Sequence, residues 1–197
     1  MTRQHASSSL VKLVAVVAGL MTVVVAGRPA EAKLVAAYLQ GHGGMSSPQA
    51  ESATGATSAS LEPGVGIQAG ARLLVFEAYG DRTSFGAGSS VTRGIFGLRG
   101  ALELASVRLV LRGGGGLLAE RGGALTGNLD GAPSRDGVAA RAGVALEKQL
   151  ATMVYGGLAV DGEVFSLAPT TMATQVVGRT SGSDIFASLH LKFEIGL

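Results

Sequence analysis

The sequence predicts an all-β chain, an eight-stranded antiparallel up-and-down β-barrel behind a short helical leader, and three observations carry that expectation. The 197 residues include 31 glycines and 47% hydrophobic side chains against only 15% charged ones, where a water-soluble domain has about 25% charged residues. Glycine at that level favours turns and close backbone approach over helix. Beyond the N-terminus the hydrophobicity is spread out, with no apolar run near the roughly 18 residues of a membrane-crossing helix. Between polar clusters, apolar and polar residues alternate with the period of two that marks a strand.

Residues 1–32 read as a secretory signal peptide. Arg3, His5 and Lys12 precede the apolar stretch from Leu13 to Gly27, and Ala30-Glu31-Ala32 supplies a small-x-small cleavage site. The apolar stretch is short for a membrane anchor, which needs about 20 residues. Taking Arg3, Lys12, Arg28 and Glu31 away from the 16 basic and 14 acidic residues leaves 13 of each. A formally neutral mature chain implies no nucleic-acid partner. There is no cysteine, which excludes both a disulfide-stapled secreted scaffold and a lipid-anchored lipoprotein.

The barrel is expected over residues 33–197. A first strand spans Lys33 to Gly44. Three hairpins follow, Gly64 to Gly80, Gly94 to Gly116 and Gly137 to Gly157, with tight turns expected near Leu73-Leu74, Ala105-Ser106 and Lys148-Gln149. A last strand runs from Ile185 to Leu197. Polar stretches rich in Ser, Thr, Gly and Pro separate these units as long loops: Met45 to Gly64, Asp81 to Arg93, Glu120 to Asp136 and Ser166 to Ser183. Strict alternation of long and short connections describes a meander with two unlike ends. The first strand and the segment Met153 to Asp161 alternate less clearly, and the run Gly113 to Gly116 is a place for a bulge or register change.

Within the clear strands, one face is apolar and the other carries charge. Val65, Ile67, Ala69, Ala71 and Leu73 oppose Gly66, Gln68, Gly70 and Arg72; Ile185, Ala187, Leu189, Leu191, Phe193, Ile195 and Leu197 oppose Ser188, His190, Lys192 and Glu194, with only Phe186 out of pattern. A soluble, lipocalin-like periplasmic barrel would turn the apolar face inward around a ligand, whereas a membrane barrel turns it outward to lipid. The polar faces carry Arg72, Glu77, Arg99, Glu103, Arg108, Arg112, Arg141, Glu147, Lys192 and Glu194, few enough and mixed enough in sign to pair inside a small lumen. A soluble exterior would hold more charge and more lysine than the Lys33, Lys148 and Lys192 that follow the leader. The expectation is therefore a transmembrane β-barrel. Every backbone amide in hydrocarbon needs an internal partner, so the last strand must close against the first.

The leader ending in AEA, the GARLLVFEAYG hairpin and the C-terminal pattern Leu189, Leu191, Phe193, Ile195 and Leu197 resemble the small outer-membrane β-barrel proteins of Gram-negative bacteria, the eight-stranded, porin-like group. The resemblance covers essentially the whole mature chain. It implies location in the cell outer membrane, outer-membrane lipid as the surrounding partner, and a C-terminal strand read by the barrel-assembly machinery during biogenesis. Two departures stand out. That family usually ends in an aromatic residue and this chain ends in Leu197, and the absence of Trp with only three Tyr leaves the interfacial aromatic girdles sparse.

An eight-stranded barrel has room only for its own side chains, so the expected role is structural or surface-interacting, with at most a narrow pore. The loops name no partner. A lipid hydrolase is the enzymatic alternative, yet Ser188 and His190 are i,i+2 neighbours on one strand face, about 6–7 Å apart and too far for direct proton transfer. No catalytic residue, metal site or cofactor is expected, since His42 and His190 lie in distant segments without a cysteine. GHGG (Gly41 to Gly44) and RGGGG (Arg112 to Gly116) lack the Lys-Ser/Thr ending of a phosphate loop and read as places of close strand packing.

Overall fold

The structure is a computed structural model that describes residues 34–52, 55–57, 61–126, 134–172 and 175–196. The predicted signal peptide, Lys33 and Leu197 lie outside the described residues. Eight long strands form the wall: β1 Val35–Ser46, β2 Glu62–Leu73, β3 Phe76–Phe85, β4 Ser90–Leu104, β5 Val107–Arg121, β6 Arg135–Ala151, β7 Val154–Leu167 and β8 Thr180–Gly196. Each pairs antiparallel with the next, and β1 also pairs with β8 from Ala36↔Gly196 to Ser46↔Phe186. The sheet is thereby closed, and its wall strands have no unpaired edge. A short hairpin, Gln49–Ser52 with Gly55–Thr57, extends the sheet from β8 at Ser181–Ser183 on the long-loop side; Thr170–Met172 and Gln175–Val177 pair only with each other.

Alternation decides which way each side chain points. On β8, Asp184, Phe186, Ser188, His190, Lys192 and Glu194 are buried while Ile185, Leu189, Leu191, Phe193 and Ile195 are exposed. Phe186 is thus no exception: it belongs to the inward face. The ambiguous β1 follows the same rule, with Ala36, Tyr38 and Gln40 inside and Val35 and Leu39 outside. In β7, Asp161, Glu163 and Phe165 are buried and Leu158 and Val160 exposed.

Three sequence expectations are corrected. The stretch Asp81 to Arg93 is mostly strand, and the connection shrinks to a 3-10 turn, Gly86–Gly88, and Ser89. Its residues continue the alternation, with Asp81, Thr83 and Phe85 inside, while Arg82 and Ser84 are polar on the outside. Both faces then look polar in sequence, as a loop does. The Gly113 to Gly116 run holds no bulge, since β5 pairs without interruption to β4 and β6. A side chain at Gly97, Gly114 or Gly116 would collide with the facing backbone, so glycine serves close strand packing here. Among the described residues the one register shift lies between Gln149 and Ala151, where exposed Leu150 is the extra residue. That bulge carries β6 past the expected turn at Lys148-Gln149, and the chain reverses at Thr152-Met153 instead. The first turn, at Leu74-Val75, lies near the expected Leu73-Leu74.

The turn at Ala105-Ser106 falls where expected. Leu74 and Ala105, each the first central residue of its hairpin turn, have φ of 55° and 53°. Left-handed backbone costs a non-glycine residue about 1–2 kcal/mol, partly offset by the greater unfolded-state entropy of glycine. Ala105→Gly is therefore expected to stabilise the barrel by about 0.5–1 kcal/mol, seen as a higher urea midpoint in detergent micelles. An unchanged or lower midpoint would refute the strain.

Candidate functional site in the barrel interior

Going from the tight-turn end to the long-loop end, the interior is built in three tiers. The first centres on Glu147 of β6. Arg108 of β5 donates to it from Nη2 at 2.5 Å and from Nε at 3.0 Å, and Lys192 of β8 donates from Nζ to both carboxylate oxygens at 2.5 and 2.7 Å. Arg99 Nη2 lies 3.6 Å and His190 Nε2 3.4 Å away. Glu194 faces Arg72 at 3.6 Å and Arg108 and Lys192 at 3.4 Å each, and Glu77 accepts from Arg99 at 3.0 Å. Tyr155 lies under Arg108, 4.2 Å from its guanidinium carbon to the ring centroid, and Tyr38 is flanked by Arg99 and Lys192 at 5.8 and 5.9 Å. Lys192 is 0% exposed. An ammonium that deep is tolerable only because two carboxylates and two ring faces surround it.

The second tier centres on Asp161 of β7. Arg112 grips its carboxylate with both a 2.9 Å and a 2.7 Å hydrogen bond, and Arg141 adds one at 3.0 Å. Such a two-point guanidinium grip fixes orientation as well as charge. Asp81 accepts from Arg93 at 2.9 Å, and Arg93 also donates to Glu163 at 2.7 Å. His42 Nε2 stands 3.6 Å from Asp81, and Gln68 links the tiers by meeting Arg112 at 3.3 Å and donating to the Tyr38 hydroxyl at 2.7 Å.

The third tier is apolar. Phe85, Val91, Leu118, Phe165, Leu167 and Phe186 converge on Ala124 and Leu125, which belong to the segment after β5 and fold back into the mouth. Gly122 and Gly123, at φ 66° and 71°, make that reversal. Glu120 locks it: one carboxylate oxygen accepts the Leu125 N–H at 2.7 Å and the Thr126 N–H and hydroxyl at 3.1 Å each. Beside it Ser46 donates to Asp184 at 2.8 Å, and Arg135 donates to the carbonyls of Ala168 and Gly178 and to Thr180.

Of the lumen charges expected from sequence, Arg72, Glu77, Arg99, Arg112, Arg141, Glu147, Lys192 and Glu194 are brought together in the first two tiers. Glu103 is not: it is exposed beside the turn at Ala105. Sequence reasoning missed Asp81, Arg93, Asp161 and Glu163, as well as the inward direction of Tyr38 and Tyr79. The signal was present as parity. Tyr79, Asp81 and Thr83 continue the face of Glu77, and Asp161 and Glu163 continue that of Ala159. Ser188 and His190 share the inward face without a hydrogen bond between them among the described residues.

No protein-family model matches the sequence, and no curated protein resembles it. Solved structures do. The chain is similar to Neisserial surface protein A, with a TM-score of 0.53 and 13% identity over 80% of this chain and 97% of that one. It is also similar to Ail, the attachment invasion locus protein of Yersinia pestis, alone (TM-score 0.37, 10% identity) and with the heparin analogue sucrose octasulfate (TM-score 0.36, 8% identity). Each covers 81% of this chain, and 98% and 99% of the Ail chains. The first of these likenesses establishes the shared fold: an all-β, closed, eight-stranded antiparallel barrel.

Proposed function

We propose that the protein is an integral barrel of a Gram-negative outer membrane, exported by cleavage after Ala32. Its outward residues Leu189, Leu191, Phe193 and Ile195, with Leu197, form the segment read by the assembly machinery. Its role is structural or surface-interacting, through the loops at the end opposite the tight turns, rather than catalysis or wide solute passage. One observation carries the reading: the barrel is inside out. Val65, Ile67, Leu117 and Leu189 are 64–71% exposed while Arg93, Arg99, Glu147 and Lys192 are nearly inaccessible. In water that arrangement would leave a continuous apolar belt uncovered; in lipid it satisfies both faces. A soluble ligand-binding barrel needs the opposite orientation. The paired charges of the first two tiers and the apolar third tier occupy the lumen, which favours a sealed barrel over a channel.

Membrane fractionation of the native protein tests this. Recovery in the outer membrane, with a band whose gel mobility changes on boiling, is expected. Recovery in the soluble periplasm would refute the reading, and discrete conductance steps in planar bilayers would refute the seal.

A further inference from the structure

The lipid-facing wall is not uniform. Across β2 to β5 it has a shallow, open groove of about 440 Å³, floored by Ala69, Ala78, Gly80, Gly94 and Gly115, with Phe96 walling one end. Phe96 stacks on Phe76 at 6.2 Å, which braces that wall. The other end opens toward the long loops. There Arg82 follows Gly80 on the outward face of β3, and Arg121 follows Leu117 and Ala119 on that of β5. Arg82 is register-paired with Thr92, and Thr92 with Ala119. The Cα atoms of the two arginines are therefore about 12 Å apart, given strands roughly 4.8 Å apart and a rise near 3.4 Å per residue.

The two arginines differ from the interior ones. Arg72, Arg93, Arg99, Arg108, Arg112 and Arg141 each face a carboxylate. Arg82 and Arg121 are exposed, and neither guanidinium has an ion pair or hydrogen bond among the described residues. Asp136, opposite Ala119 on β6, forms no ion pair with Arg121. Two unpaired guanidiniums thus stand where the outward surface changes from apolar to polar, directly above an apolar groove. Guanidinium matches phosphate in geometry and charge, and the groove lies on the hydrocarbon side of it.

We propose that this groove is a lipid site: one acyl chain of a phosphate-bearing lipid in the long-loop leaflet lies over Gly80 and Gly94, and its headgroup phosphate is bound by Arg82 with Arg121. The site rests on the outer-membrane reading above. It makes this sector of the wall selective, whereas the remainder of the belt contacts lipid without preference. A Cβ at Gly94 would meet nothing within 4 Å, so a side chain there fills the groove and leaves the barrel intact.

The test uses the protein extracted from membranes into detergent, with the heat-modifiable band as the check of folding. Native mass spectrometry would follow retention of added dioleoylphosphatidic acid and of dioleoylglycerol, its phosphate-free counterpart. Phosphatidic acid is expected to bind preferentially, and Arg82→Gln with Arg121→Gln should reduce its retention about tenfold, as for loss of charge-assisted bonds, without affecting dioleoylglycerol. Gly94→Leu should reduce retention of both lipids. Equal retention by wild type and variants would overturn the site, as would displacement of the lipid by inorganic phosphate, which would mark a bare anion site. Both of those results leave a folded outer-membrane barrel standing. Failure to recover a heat-modifiable membrane protein at all would overturn both readings.

Discussion

Glu147→Ala is expected to destabilise the barrel by about 3–5 kcal/mol, the range for removing one partner of a buried ion pair. The carboxylate accepts hydrogen bonds from both Arg108 and Lys192, and Arg99 and His190 lie 3.6 and 3.4 Å away. Without it, Lys192 keeps only Glu194 at 3.4 Å as a facing acid, and its ammonium has no exposure to water. The loss is thus mainly an uncompensated buried cation rather than the missing attraction. Two controls follow. Glu103→Ala removes an exposed acid and should cost no more than about 0.5 kcal/mol. Adding Lys192→Met to Glu147→Ala should recover part of the loss, because the orphaned charge disappears with its partner. The chain has no Trp, so unfolding is best followed by circular dichroism in urea, in detergent micelles. A wild-type midpoint for Glu147→Ala would show that the first tier does not hold the barrel together. A double variant no more stable than Glu147→Ala would show that the cost lies in something other than the stranded ammonium.

The interior was legible in sequence only where the outward face was apolar. Arg72 of β2, Arg141 of β6 and Lys192 and Glu194 of β8 each sit between outward Ala, Leu, Phe or Ile, and there the period of two is plain. At the upper end of β3 and the start of β4 the outward positions are Arg82, Ser84 and Thr92, polar like the inward ones. Contrast between the faces vanishes there, and with it the signal for Asp81 and Arg93. The glycine run admits two readings in sequence, a bulge or a place of close strand packing. The second holds, since β5 uses the run to let β4 approach, while the actual bulge sits at Leu150, a residue with no sequence mark of irregularity. Partner choice was not legible at all. Arg112 bonds Asp161 two strands away across the lumen, and nothing local ties Arg93 to Glu163. Such pairings come from barrel closure, which makes distant strands face each other. The fold therefore follows from local alternation, and the network from topology.

Whether the outer wall meets lipid can be measured on β8, whose outward face is apolar from Ile185 to Ile195. Leu191 is near the middle of that series, between Ile185 on the long-loop side and Ile195 near the tight-turn end, and it is 57% exposed. In water, Leu191→Arg would be nearly neutral or mildly favourable, since the side chain touches little protein. In a bilayer an arginine at this depth costs about 2–4 kcal/mol, falling to about 0–1 kcal/mol near an interface. Leu191→Arg should therefore destabilise the folded barrel in lipid vesicles by about 2–4 kcal/mol, whereas Ile185→Arg should cost about 1 kcal/mol or less. The inward neighbour gives the reciprocal test. Lys192→Leu removes the ammonium that Glu147 and Glu194 share, and should destabilise even though it makes the sequence more hydrophobic. A membrane barrel predicts this depth-dependent cost outside and intolerance of apolar substitution inside. Equal tolerance of arginine at positions 185 and 191 would mean that β8 does not face hydrocarbon.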